Sequence, residues 1–129
     1  MILVDTSAWV EFLRGTGSVA CEEVDRLLDQ EIAITDPVLM EALAGVRDER
    51  HLQQLRSLLG RAQMIHRTPP DFSQAATLYR RCCSGGETVR RLIDCLIAAV
   101  AIREGLALLH HDADFEVLAR HTELRIHRR

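Results

Sequence analysis

Leu92-Ile93-Asp94-Cys95-Leu96-Ile97-Ala98-Ala99-Val100-Ala101-Ile102, residues 92–102, is an apolar run with a single charge at Asp94. It predicts a helix from about Arg90 to Glu104 that stops at Gly105, followed by a strand over Leu106–His110. The same alternation extends outward on both sides. Downstream, Ala113–Arg120 reads as a helix and Leu124–His127 as a weak final strand. Upstream, Ser84-Gly85-Gly86 is a loop, Pro69-Pro70 opens a helix reaching about Cys83, and Gln63–His66 is a short strand. Leu52, Leu55, Leu58 and Leu59 form a helical stripe ending near Gly60. Asp36-Pro37 starts a helix after a strand over Glu31–Thr35, with Asp36 as the expected cap. Ile2–Val4 is a first strand, followed by helices over about Ser7–Leu13 and Val19–Gln30, separated by Gly15 and Gly17. Short strands alternating with helices imply an α/β fold with a central parallel sheet and helices on both faces.

The chain has 129 residues, 47% of them apolar and 27% charged, with a net charge of -3. That length predicts one domain, residues 1–129, with a sizeable buried core. No apolar stretch reaches the ~18 residues of a membrane span, and Met-Ile-Leu-Val runs straight into Asp5 rather than into a signal core. The expectation is a soluble, cytoplasmic protein. Cys21, Cys82, Cys83 and Cys95 contain no CxxC pair, so neither a zinc site nor a redox motif is encoded, and all four read as reduced thiols. All 16 basic residues are Arg. The acidic balance argues against a generally basic nucleic-acid-coating surface, though not against a local basic rim around an acidic metal site.

Four acids stand out. Asp94 interrupts the apolar helix, where an unpaired buried carboxylate costs several kcal/mol and calls for a cation, a hydrogen-bond network or an ion pair such as Arg90 four residues earlier. Asp5 ends the first strand, although it could also cap the helix that follows. Glu41 lies one turn into its helix with no charge partner three or four residues away; a solvated helix face is the alternative. Asp112 and Asp114 follow the strand that ends at His110, and one of them is expected to cap the next helix. In a right-handed βαβ arrangement, strand C-termini and helix N-termini share one edge, so Asp5, Glu41, Asp94 and Asp112 are expected on one rim. Carboxylates so close repel one another unless a cation neutralises them, and an all-oxygen donor set suits Mg²⁺, with Mn²⁺ as a possible substitute.

Four segments together resemble the PIN-domain ribonucleases, and among them the VapC-type toxins of toxin–antitoxin pairs. They are Leu3-Val4-Asp5-Thr6-Ser7-Ala8-Trp9, Val38-Leu39-Met40-Glu41-Ala42-Leu43-Ala44-Gly45, Asp94-Cys95-Leu96-Ile97-Ala98-Ala99-Val100-Ala101 and Leu109-His110-His111-Asp112-Ala113-Asp114-Phe115. The resemblance implies a three-layer α/β/α PIN-like domain and an Mg²⁺-dependent endoribonuclease. It matches Asp5, Glu41, Asp94 and Asp112 to the catalytic acidic quartet, with Asp5 and Asp94 as first-choice metal ligands and Asp114 as a further acid. His110 stands where the family commonly has Thr or Ser. The resemblance further implies a structured RNA substrate such as tRNA, a cognate VapB-type antitoxin and a homodimer. The Leu52–Leu59 stripe is a candidate dimer contact, with core packing as its alternative. Arg14, Arg80, Arg81, Arg90 and Arg91 are candidate phosphate contacts.

Three other readings compete. Metal-free acid–base cleavage by His110 and His111 needs two imidazoles in one site, and neighbours on a strand point to opposite faces. A phosphoacceptor signalling domain also uses acids at strand ends, but usually with a Lys that this chain lacks. A catalytically inactive interaction module would leave the charge at Asp94 unexplained.

Overall fold

The computed structural model describes residues 1–129. Four strands, β1 (Ile2–Val4), β2 (Ile32–Thr35), β3 (Gln63–Ile65) and β4 (Ala107–Leu109), pair in the order β3-β2-β1-β4, all parallel. Seven helices flank them: α1 (Thr6–Arg14), α2 (Val19–Leu27), α3 (Asp36–Ala44), α4 (Glu49–Leu59), α5 (Pro69–Ser84), α6 (Leu92–Glu104) and α7 (Ala113–His121). The chain winds from β1 outward through β2 to β3, then crosses back past β1 to β4. Right-handed crossovers that reverse in this way leave a crevice between β1 and β4 at their C-terminal ends, the usual ligand position of open parallel sheets.

The expected order of elements and the parallel sheet are present. Three details differ. The C-terminal strand shrinks to a single parallel bridge between Leu108 and Ile126. Thr35, not Asp36, occupies the N-cap of α3, because the Asp36 carboxylate is engaged by the Arg67 backbone N–H at 2.9 Å and by His66 Nδ1 at 2.9 Å. Helix α6 starts at Leu92 rather than Arg90: the Arg90 N–H donates to Asp114 Oδ2 at 3.2 Å, and Arg91 is extended at the N-cap.

Helix α6 is the centre of the core. Cys95 and residues 97–101 are buried, which requires covering on every side, chiefly by α5 and in part by α7, α3 and β4. Ala98, Ala99 and Ala101 let those elements approach closely. The α6 helix ends at Gly105 (φ 65°) and α1 ends at Gly15 (φ 60°), left-handed positions that a side chain would strain. In α4, Leu55 and Leu59 of the leucine stripe are buried in the core, whereas Leu52 and Leu58 are half-buried. All four cysteines are free thiols, and burial pushes Cys95 up to about 12, so it is inert near neutral pH.

The C-terminal residues are tied down by a buried acid. Glu23 on α2 is 2% exposed and accepts from Arg26 Nη2 at 2.7 Å and Nε at 3.0 Å, and pairs with His127 Nε2 at 3.1 Å. The Arg26 hydrogen bonds lower the Glu23 carboxyl to about 2, with His127 adding to them against the opposing effect of burial. A depressed carboxyl stabilises the fold above its unfolded value of about 4.3, and that contribution is lost as pH falls toward the folded value. Urea midpoints of the wild type are therefore expected to fall between about pH 4.5 and 2 more steeply than those of Glu23→Gln. Parallel pH profiles for the two proteins would remove Glu23 as a source of acid sensitivity.

Candidate metal centre

The acids meet because each stands at the same edge of the sheet. Val4 pairs with Leu109, and the Asp5 N–H continues that ladder to Leu109 O at 2.9 Å, which sets Asp5 in the crevice between β1 and β4. Asp5 is also the N-cap of α1: its Oδ2 accepts from the Ser7 N–H at 2.9 Å and from the Ser7 hydroxyl at 2.6 Å. The two readings of Asp5, cap and site residue, thus hold for different oxygens of one carboxylate. Ser7 Oγ accepts in turn from the His111 N–H at 2.9 Å, pinning the loop after β4 to α1. Asp112 caps α7 by accepting from the Asp114 N–H at 3.0 Å.

Asp5, Glu41, Asp94 and Asp112 line one cleft of about 270 Å³, together with Thr6, Ser7, Glu11, Arg91 and His111; Val10 is its sole apolar wall. Thr6 Oγ1 donates to Glu41 Oε1 at 3.3 Å, and the Arg91 guanidinium pairs with Glu41 Oε2. Arg91 also approaches Asp94 Oδ1 at 3.7 Å. The ion-pair partner of Asp94 is therefore Arg91, three residues before it, and not Arg90. Arg90 instead forks across Asp114 Oδ1 at 3.2 Å and Asp112 Oδ1 at 3.0 Å. One turn of helix separates residue pairs at both spacings, and the extended backbone before Leu92 decides which guanidinium reaches which acid.

Burial raises the Asp94 carboxyl to about 8, with the neighbouring Asp114 carboxylate and the charge of Asp5 adding to the shift. Burial likewise raises Asp5, more than its Ser7 hydrogen bonds lower it. In Asp114 burial also works upward, but the adjacent Asp94 carboxyl and the hydrogen bonds from Arg90 prevail and hold it below the usual carboxylate range. Asp5 Oδ1 and Asp94 Oδ2 are buried without any hydrogen-bond partner. One carboxylate oxygen each from Asp94, Asp112 and Asp114 lies within 4.8 Å of the others. Orphaned, inward-facing carboxylate oxygens in an all-oxygen set fit a hard divalent cation.

Over residues 2–121 the chain matches the family model described as PIN domain. The chain belongs to the PIN domain family. This PIN domain is 49% identical over 129 residues to Ribonuclease VapC11 of Mycobacterium tuberculosis strain ATCC 25618 / H37Rv, covering 97% of this chain and 96% of that protein. It has the same identity and coverage with VapC ribonuclease Mb1587 of Mycobacterium bovis. The fold is shared with the solved DNA-bound VapBC from Salmonella typhimurium, at TM-score 0.77 and 19% identity over 98% of each chain. VapBC2 from Rickettsia felis, bound to a promoter DNA fragment, aligns at TM-score 0.76 and 22% identity, again over 98% of each chain.

One residue of this PIN site went unread in the sequence. Glu11 lies one turn beyond Ser7 on the cleft face of α1 and sits 3.4 Å from His111 Nε2; its spacing from Ser7 was the available signal. Asp114, matched through the resemblance as a further acid, is 3% exposed beside Asp94. His110 lies outside the cleft. Its Nδ1 accepts from the Asp112 N–H at 3.0 Å and its Nε2 meets Glu116 at 2.8 Å, with the ring 5.4 Å from that of Phe115. Only His111 of the pair lines the cleft, which leaves two-imidazole chemistry without its second group.

Proposed function

We propose that this chain is a VapC-type toxin, a divalent-metal-dependent endoribonuclease of a toxin–antitoxin pair. The observation that carries the reading is the convergence of Asp5, Glu41, Asp94 and Asp112 on one cleft, with buried carboxylate oxygens lacking any protein partner. The 49% identity to named VapC ribonucleases supports the same reading. Asp5 and Asp94 would hold Mg²⁺, with Mn²⁺ as a substitute, and Glu41 and Asp112 would complete the set. When bound, the cation supplies polarisation of the scissile phosphate, acidification of a water and offset of developing negative charge.

The chain's own residues do the rest. Ser7 and Thr6 orient the carboxylates of Asp5 and Glu41 through their hydroxyls. Glu41 and Asp112 are about one-fifth exposed, open enough for a carboxylate oxygen of either to take the proton of an attacking water. Attack by water, rather than by the RNA 2′-hydroxyl, with cleavage of the P–O3′ bond and departure of the 3′-oxygen, leaves a 5′-phosphate and a 3′-hydroxyl. The substrate class is structured RNA such as tRNA. The partners are a VapB-type antitoxin and a second copy of this single-domain chain, in the cytoplasm. No helix of the chain is long and apolar enough to cross a membrane.

Purified protein is expected to cut total bacterial RNA into discrete fragments with Mg²⁺ and to leave it intact in EDTA. The downstream fragments should be degraded by a 5′-phosphate-dependent exonuclease without prior phosphorylation. Cleavage that persists in EDTA, or fragments with 2′,3′-cyclic ends, would rule out this mechanism.

A further inference from the structure

We propose that Arg91 is an exchangeable counter-ion of the acidic cleft and a substrate contact. Its guanidinium pairs with Glu41 and stands 3.7 Å from Asp94. When a divalent cation takes those carboxylates, the side chain turns to the cleft mouth and binds a phosphate of the RNA. This rests on the metal-dependent nuclease reading above.

The two arginines before α6 are held in different ways. Arg90 is locked by its backbone N–H and Nε on Asp114 and by Nη2 on Asp112. Arg91 reaches its acids with one nitrogen, Nη2, which pairs with Glu41 and stands 3.7 Å from Asp94. Its side chain is 49% exposed, so it already lies at the boundary between cleft and solvent. Apart from His111 it is the one basic group lining a cleft that also holds Asp5, Glu11, Glu41, Asp94 and Asp112.

Electrostatics makes the movement an exchange. Leaving Glu41 without a counter-charge is costly, so Arg91 stays until another cation arrives. A dication among the same oxygens repels the guanidinium and replaces its charge twice over. The displaced fork is a short side-chain swing from a phosphate approaching the site, a ligand that it can grip with two parallel hydrogen bonds. Arg91 therefore opposes cation binding while it pairs with the acids and favours RNA binding once displaced.

The test titrates Mn²⁺ into wild type, Arg91→Ala, Arg91→Lys and Arg50→Ala without RNA, then measures binding of a short single-stranded RNA with Ca²⁺ present and the RNA verified intact. Arg50 is an exposed arginine on α4 outside the cleft and controls for net charge. Arg91→Ala is expected to bind Mn²⁺ roughly fivefold to tenfold more tightly and the RNA by a similar factor more weakly. Arg91→Lys should lie between it and the wild type, and Arg50→Ala should match the wild type. A folding defect would weaken both ligands, so opposite shifts are the signature. Equal or weaker Mn²⁺ binding by Arg91→Ala overturns the exchange, and unchanged RNA binding overturns the phosphate contact. A wild type that binds no Mn²⁺ fails the nuclease reading itself.

Discussion

Asp94→Asn is expected to lower RNA cleavage by about a thousandfold or more while leaving a folded chain whose cation-free melting temperature equals or exceeds that of the wild type. The two effects have one cause. Asp94 is 2% exposed, with Oδ2 unpartnered and the carboxylates of Asp112 and Asp114 close by. Such a group is a poor contributor to folding, because its burial and its like-charged neighbours both oppose the ionised form. An amide of the same shape removes the charge conflict but cannot serve as an anionic ligand. Melting curves with and without Mn²⁺ separate the two: the wild type should gain stability from the ion, as any ligand of the native state confers. Asp94→Asn should gain little. Wild-type turnover in the variant would take Asp94 out of the chemistry, and a molten variant would make it a structural residue instead.

The largest stability effect is expected at Trp9. This indole is fully buried on α1, four residues after Asp5, in the cluster that includes Leu3, Val4 and Val24. Trp9→Ala should cost about 3–5 kcal/mol, from the lost transfer energy and the cavity left behind. With a urea m-value of roughly 2 kcal/mol/M, the midpoint should move down by about 1.5–2.5 M. Trp9→Phe should cost far less than Trp9→Ala, because Trp9 Nε1 has no hydrogen-bond partner and its deletion breaks no bond. A Trp9→Phe loss equal to that of Trp9→Ala would mean that the N–H is satisfied in solution, by a water for example. Since α1 carries Ser7, Trp9→Ala is also expected to loosen the cleft.

Much of this molecule was legible locally. The apolar run after Arg91, the left-handed glycines at Gly15 and Gly105, and the prolines that open α3 and α5 act within a few residues of themselves. Helix and strand order therefore follows from neighbouring side chains alone. The boundary errors share a cause: at Asp36 and at Arg90 a distant partner, Arg67 in one case and Asp114 in the other, outbid the local cap. The four acids could be gathered on one rim from topology, because strand C-termini and helix N-termini converge in any right-handed parallel sheet. Glu11 escaped that argument. A helix face explained it, and only packing distinguishes a solvated acid from one aimed into a cleft.

By itself, then, the sequence determined the α/β class, the order of the elements and the edge on which Asp5, Glu41, Asp94 and Asp112 stand. Local propensity and chain direction are sufficient for all of these. The tertiary structure alone decided that Arg91 rather than Arg90 meets Asp94, and that Glu41 finds its counter-charge 50 residues away. It also decided that His110 turns toward Glu116 and away from the cleft. These are contacts between groups that sequence spacing leaves free, and they are set by the register of β1 against β4 and by the extended backbone that leads into α6.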